Sequence, residues 1–250
     1  MKASQTGFSL VELMVALVLG LMVTAVAIQL FSTNQQTFAI QQTESQLQQD
    51  SQLVTRFMVR DLRRAGLVLD GVAASEDMGI KFSTGSAGFA GSADADSGDN
   101  DRLTLAFNGR TDCAGSVSTQ TNGEEITNTY FIKDNGSGDA LYCKGSVDDE
   151  TVELVEGVES FQVEYGIDDG VNQTLQVSKY VTATNVGAND AVVAVRVGLL
   201  LHRANNSLPV SDGSRKFYVL DKTVTEPADR AMRRLVMTTI KLRNVNWDDI

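Results

Sequence analysis

Residues 7–28 read GFSLVELMVALVLGLMVTAVAI, and this stretch decides how the chain is built. From Phe8 to Ile28 it carries one charge, Glu12. As a helix it spans roughly 30 Å, the hydrocarbon thickness of a bilayer. A short polar leader, MKASQTG, precedes it. Three readings are open. The segment fits a secretory signal, with Lys2 as its basic region, Leu10 to Val23 as its apolar core and Ala25-Val26-Ala27 as a cleavage site. It fits an uncleaved signal anchor. It also fits a membrane helix whose leader is removed ahead of the apolar stretch. Glu12 discriminates: an acidic side chain near the centre of a membrane helix costs roughly 2.5–3.5 kcal/mol, and less near an end. A discarded signal or a passive anchor gains nothing from that cost, whereas a carboxylate with a cationic partner does.

Outward from this stretch the helical pattern continues. Residues 29–65 contain neither Pro nor Gly, and nine Gln lie between Gln29 and Gln52. Apolar residues recur, often three, four or seven apart, at Phe31, Phe38, Leu47, Val54, Phe57, Met58, Leu62 and Ala65. Gly66 is a stop signal, with Arg63 and Arg64 in the last turn, where cations suit the helix dipole. Residues 8–65 are therefore expected to form one spine of roughly 87 Å, apolar over 8–28 and amphipathic over 29–65. Lys2 is the only basic side chain before Arg56, so charge asymmetry leaves the leader in the cytoplasm and carries 29–250 across the membrane.

Beyond Gly66 the chain changes character. Residues 66–250 hold nineteen of the 21 Gly, and 16 basic against 28 acidic side chains leave a net charge of −12. Alternating apolar and polar residues mark strand candidates at Arg102–Phe107, Ile126–Lys133, Thr151–Val155, Val158–Tyr165, Ala191–Leu201, Lys216–Val224 and Leu235–Leu242. Gly, Asp and Asn clusters separate them. The expected fold class is α+β, an antiparallel β-rich head packed on the second half of the spine helix. Gly85 to Asp101 reads as a long mobile loop.

Several function classes are disfavoured. A chain of net charge −11 repels phosphate backbones, so no nucleic-acid partner is expected. Cys113, Cys143 and His202 are too few for a four-ligand Cys/His zinc site. Asp94, Asp96, Asp99 and Asp101 suggest a calcium loop. Counted from Asp94, however, Gly98 stands fifth and Leu105 twelfth, which breaks the EF-hand pattern and leaves a solvated acidic loop over 94–101. His202 has no nucleophile motif to join it, so no enzyme, metal or cofactor is expected. In an oxidising compartment Cys113 and Cys143 are expected to pair, the alternative being two separate buried thiols.

Gly7-Phe8-Ser9-Leu10-Val11-Glu12 and the apolar residues after it resemble the processing site of type IV pilins and type II secretion pseudopilins. The resemblance implies that a prepilin peptidase cuts between Gly7 and Phe8 and N-methylates Phe8. The new amine is mostly cationic at neutral pH. Phe8 and Glu12 are i and i+4 on a helix, so Glu12 can neutralise that amine in its own helix or a neighbour's. Arg60-Asp61-Leu62-Arg63-Arg64-Ala65-Gly66, Val158 to Gly166 and Arg233 to Asn244 resemble the PilW minor pilins and the related minor pseudopilin J group. This implies residues 1–7 as the cleaved leader, 66–250 as a head in the periplasm and the inner membrane as the first location. It also implies a role in initiating pilus assembly near the fibre tip, with other minor pilins, the major pilin and a tip-associated adhesin as partners. A pseudopilin J-like role in a type II secretion pseudopilus, or an adhesive binding module, is the alternative.

Overall fold

The structure is a computed structural model that describes residues 7–72, 78–82, 91–94, 100–136, 138–168, 174–187 and 190–245. One helix, α1 (Leu10–Leu62), runs for 53 residues, about 80 Å. It is shorter than the expected 8–65 at both ends. Ser9 is extended (φ −69°, ψ 142°), so Phe8 precedes the helix, and Leu13 N–H opens the ladder on the Ser9 carbonyl. At the other end Ala65 N–H returns to the Asp61 carbonyl, and Gly66 turns at φ +77°. The last carbonyls are capped from far away in sequence: Asn244 Nδ2 donates to the carbonyls of Arg63, Arg64 and Ala65 at 3.3, 3.5 and 3.1 Å.

The head contains two antiparallel sheets. The first is a five-stranded meander, in spatial order β1 (Gly79–Lys81), β2 (Leu103–Gly109), β3 (Glu124–Asp134), β4 (Asp139–Gly145) and β5 (Thr151–Glu156). The second combines β6 (Val158–Asp168), β7 (Lys179–Val181), β8 (Ala191–Ala204) and β11 (Ala231–Lys241) in the order β11-β8-β6-β7. A separate hairpin pairs β9 (Lys216–Val219) with β10 (Lys222–Thr225). The pilin-like α+β architecture read from the sequence is thus the observed one.

The differences lie in the details. The expected strand Lys216–Val224 is this hairpin, turned over Leu220-Asp221 with Leu220 at φ +57°. Leu220 packs where a side chain at Gly198 would stand, since a Cβ there would lie 3.0 Å from Leu220 Cγ. β1, β4 and β7 were not among the expected strands. β4 follows the Asn135-Gly136 turn and buries Ala140, Leu141 and Cys143 against β3 and β5.

Within the stretch from Gly85 to Asp101, the described residues Ser92, Asn100 and Asp101 differ from the expected loop. Residues 83–90 and 95–99, including Asp96 and Asp99, lie outside the described residues. The ends of the stretch are structural. Ser92 Oγ accepts the Thr104 N–H (2.8 Å), Asn100 Oδ1 accepts the Phe161 N–H (2.9 Å), and Asp101 Oδ2 accepts the Val163 N–H (2.7 Å). Asp101 is therefore buried, with its carboxylate fastening the entry of β2 to β6. It is not a solvated ligand of an acidic loop.

The core forms where both sheets meet the second half of α1. Thr43, Leu47, Ser51, Val54, Met58, Asp61 and Leu62 recur at three- and four-residue spacing, so they share one helix face, and all are buried. Thr43 and Ser51 satisfy their hydroxyls on helix carbonyls of Ala39 and Gln48. Phe31 and Phe38, expected on the amphipathic face, are exposed at 64% and 69% because the head stops short of them.

Gly66 should be the least replaceable residue of this joint. A Cβ there would lie 2.7 Å from the Asn244 carbonyl oxygen, in a left-handed conformation. Gly66→Ala is expected to cost about 1–3 kcal/mol, read as a shift of the denaturant midpoint of the detergent-solubilised chain.

Candidate assembly site at the naked half of the spine

The first half of α1 is exposed on every side among the described residues. Large apolar side chains from Phe8 to Phe38 are at least half exposed, and the most apolar 18-residue window has mean hydropathy 2.5 with none of it buried. By length and composition this helix can cross a membrane. Its threonine hydroxyls are satisfied on the helix itself. Thr24 Oγ1 donates to the Gly20 carbonyl at 2.8 Å, which suits a hydroxyl that cannot reach water. Glu12 is the only acidic residue of the first turn and is exposed. Phe8, bonded to Gly7, lies ahead of the helix and is 87% exposed rather than one turn below Glu12 on the helix. The geometry of a free amine at Phe8 against Glu12 is therefore not displayed in the uncut chain.

The second half of the spine is held by polar anchors as well as by its apolar face. The deepest is Asp61. Its Oδ2 accepts Tyr130 Oη–H at 2.5 Å and Asn128 Nδ2–H at 2.8 Å, both from β3. Its Oδ1 takes Arg60 Nε–H at 3.2 Å, with Arg64 4.0 Å away. Arg64 in turn lies over the Phe107 ring at 3.9 Å. Burial first, and then the Asp61 carboxylate, push the Tyr130 phenol well above its ordinary value.

Asn128 extends the anchor to the disulfide, because its Oδ1 accepts the Cys113 N–H at 2.9 Å. Cys113 and Cys143 are bonded, with Cα atoms 6.2 Å apart. Cys143 stands opposite Tyr130 in the β3–β4 ladder. Asp112 braces the same turn by accepting from Ala114, Ser116 and Val147 N–H groups. A Cβ at Gly145 would collide with its carboxylate at 2.0 Å.

Two further anchors hold the lower part of the head. Arg203 donates to Asp50 Oδ2 at 2.7 Å, and Asn205 Nδ2 reaches Thr43 Oγ1 and the Ala39 carbonyl. Arg234 pairs with Glu44 at 2.9 Å. Behind them the Arg233 guanidinium is wholly buried between Glu159 of β6 and Asp229, at 2.7 and 2.6 Å. Asp229, then Glu159, hold Arg233 firmly charged. His202, considered above as a lone base, sits 3.7 Å from Glu159 beside this cluster, and its backbone N–H bonds to Gly157. Among the described residues no group of three or more His, Cys, Asp or Glu could hold a metal ion.

Asp61 lies within the RDLRRAG run, and nothing in the sequence pattern alone marks its role. The same holds for Asn128, Tyr130 and Arg233. The one signal at Asp61 is its position. A carboxylate in the last turn of a helix opposes the dipole, so it needs another reason to be there.

The family profile described as the prokaryotic N-terminal methylation motif matches residues 2–28, the leader and the naked helix. The profile of the family described as Type IV Pilus-assembly protein W matches residues 129–244, from β3 through β11 to Asn244. A type IV-like pilin, TTHA1219 from Thermus thermophilus, is similar at 15% identity over 80% of this chain and 98% of its own, with a TM-score of 0.46. No curated protein matches the chain at a significant level.

Asp61 makes two expectations. Asp61→Ala strands the Tyr130 hydroxyl and the Asn128 amide and should cost about 2–4 kcal/mol, more than Tyr130→Phe, in urea denaturation of the full chain. The Tyr130 phenol is raised in the fold above an unfolded value of about 10, so its contribution is complete below pH 10 and is lost as pH rises towards the folded value. Tyr130→Phe should flatten that alkaline fall, measured as denaturation midpoint against pH. The pilus-assembly profile over residues 129–244 and the methylation motif over residues 2–28, on this long helix with its β-rich head, lead to one conclusion: the chain is a type IV pilin-like protein, similar over residues 129–244 to the PilW family, with a general role in filament assembly.

Proposed function

We propose that this protein is a minor pilin that helps initiate type IV pilus assembly. The observation that carries the reading is the half-naked spine: an exposed apolar rod whose first turn holds one carboxylate. Such a rod is unstable in water and needs lipid first and other helices afterwards. In this reading prepilin peptidase removes residues 1–7, Phe8 becomes an N-methylated terminus, and residues 8–28 hold the chain in the inner membrane with residues 66–250 in the periplasm. Residues 29–65 then carry the head clear of the bilayer. Helices bundle as the chain leaves the membrane, and the Phe8 amine of one subunit pairs with Glu12 of another. A position near the tip, beside other minor pilins, the major pilin and a tip-associated adhesin, follows from an initiating role. The match to a pilus-assembly family favours this over a type II secretion pseudopilus.

Terminal sequencing of the mature protein should begin at methylated Phe8, and Gly7→Leu should leave an uncut, membrane-held precursor. A mature chain beginning at Ile28 would mean a secreted protein and overturn the reading. Glu12→Ala should still insert and be processed, yet reduce the protein in sheared fibres by about tenfold or more. Glu12→Gln should fall between, since it keeps a hydrogen bond and loses the charge.

A further inference from the structure

The part of the spine that carries the head has a second, uncovered face, and charge is distributed unevenly along it. Opposite the buried row that runs from Thr43 to Leu62 lie Gln42, Ser45, Gln49 and Gln52, all exposed and all neutral. The next two turns of the same face present Arg56, Arg60 and Arg63 at four- and three-residue spacing, all exposed. The Asn244 cap brings exposed Arg243 to the same end of the helix. Arg60 leans over Phe57 at 5.0 Å and reaches Asp61. Arg56 and Arg63 have no side-chain partner among the described residues. The stripe thus concentrates positive charge on a protein of net charge −11.

Two ordinary explanations fall short. The helix dipole rewards cations only within the last turn, and Arg56 lies outside it. A lipid surface is out of reach. Twenty-eight residues of helix separate Ile28 from Arg56, about 42 Å, while charges are screened over about 8 Å at physiological salt.

The other carboxylates of α1 are committed or distant. Glu44 pairs with Arg234, Asp50 with Arg203, and Asp61 is buried under β3, while Glu12 lies in the apolar half. A second copy of this spine has no free carboxylate to bring against the stripe, and two stripes face to face repel each other. Heads that occupy one side of each spine leave the other side to meet neighbouring spines when rods bundle.

We infer that the Arg56–Arg60–Arg63 stripe is a docking surface for carboxylates on the spine helix of a different pilin subunit. The inference rests on the filament reading above and adds the kind of partner: a heterotypic one, acidic where this chain is basic. The guanidinium forks suit bidentate pairing with Asp or Glu. Pairing would also set register, because the neutral stretch upstream offers no alternative charges to slide onto.

The test places the photo-crosslinker p-benzoylphenylalanine at Gln52, one turn before the stripe, in the full chain in its own cells. The crosslinked peptide is then identified by mass spectrometry. The expected adduct is a second protein with an apolar prepilin-type helix and at least two Asp or Glu within two turns of the attachment point. Arg56→Glu with Arg63→Glu should cut the adduct by about tenfold or more, and Arg56→Lys with Arg63→Lys should largely restore it. An intact Cys113–Cys143 disulfide and an unchanged melting temperature show that the variants fold. Should the charge reversal fail those controls, Arg56→Gln with Arg63→Gln replaces it and should still lower the yield severalfold. An adduct to another copy of this chain, to a peptide without carboxylates, or to no protein overturns the proposal, as does a yield indifferent to charge. Wild-type chain present in sheared fibres alongside any of these results sinks the stripe alone. Its absence from fibres takes the filament reading down as well.

Discussion

One buried carboxylate joins the two halves of this molecule. Asp61 ends the spine helix and begins the head, and its oxygens hold Tyr130 and Asn128 of β3 on one side and Arg60 on the other. Removing a charge from water is costly, and only a complete set of donors offsets the loss. The joint therefore works in one geometry: β3 must lie against the last turn of α1, with Arg64 folded over Phe107. Asn128 passes the constraint on to Cys113, and the disulfide passes it to β4. The cap by Asn244 closes the same region from the far end of the chain, so the start and finish of the head meet at Gly66.

That arrangement explains how a single helix serves two environments. Its second half is buried by sheets and ion pairs, which fix the head against rotation about the helix axis. Asp50–Arg203 and Glu44–Arg234 act lower down, and the Asp61 cluster acts at the top. These exposed or half-exposed pairs contribute modestly to stability, but they set orientation. Its first half is left bare, and a rod held rigidly to its head can transmit packing of the bare half into placement of the head. In the assembly proposed above that coupling has a use, because subunits that bundled through their helices would present their heads in register.

Several features of the head were legible without coordinates. β6 and β8 were marked by apolar alternation at Val158–Tyr165 and Ala191–Leu201, and they form the centre of the second sheet. β4 was missed although Asn135-Gly136 announces a hairpin after β3. The β9–β10 turn was illegible for a sounder reason. Leu220 at positive φ carries no local turn signal, and it is tolerated because Gly198 on β8, 22 residues earlier, leaves room for its side chain. Ser92, Asn100 and Asp101 looked like loop residues for the same reason. Their partners, Thr104, Phe161 and Val163, are mostly remote in sequence.

The sequence by itself determined the spine, its naked apolar half, the single carboxylate in it and the β-rich nature of the head. These are properties of neighbours along the chain: a helix satisfies its own backbone, and twenty apolar residues need a nonaqueous medium wherever they end up. Only the tertiary structure decided which face of the spine the head covers. It also decided which of the spine's carboxylates are spent inside the molecule and which of its cations lack a partner among the described residues. Glu44, Asp50 and Asp61 look alike in the sequence, as do Arg56, Arg60, Arg63 and Arg64. Long-range contacts with Arg234, Arg203, Tyr130 and Phe107 separate them, because the strength of a charge pair depends on burial and distance, and neither is fixed by position along the chain.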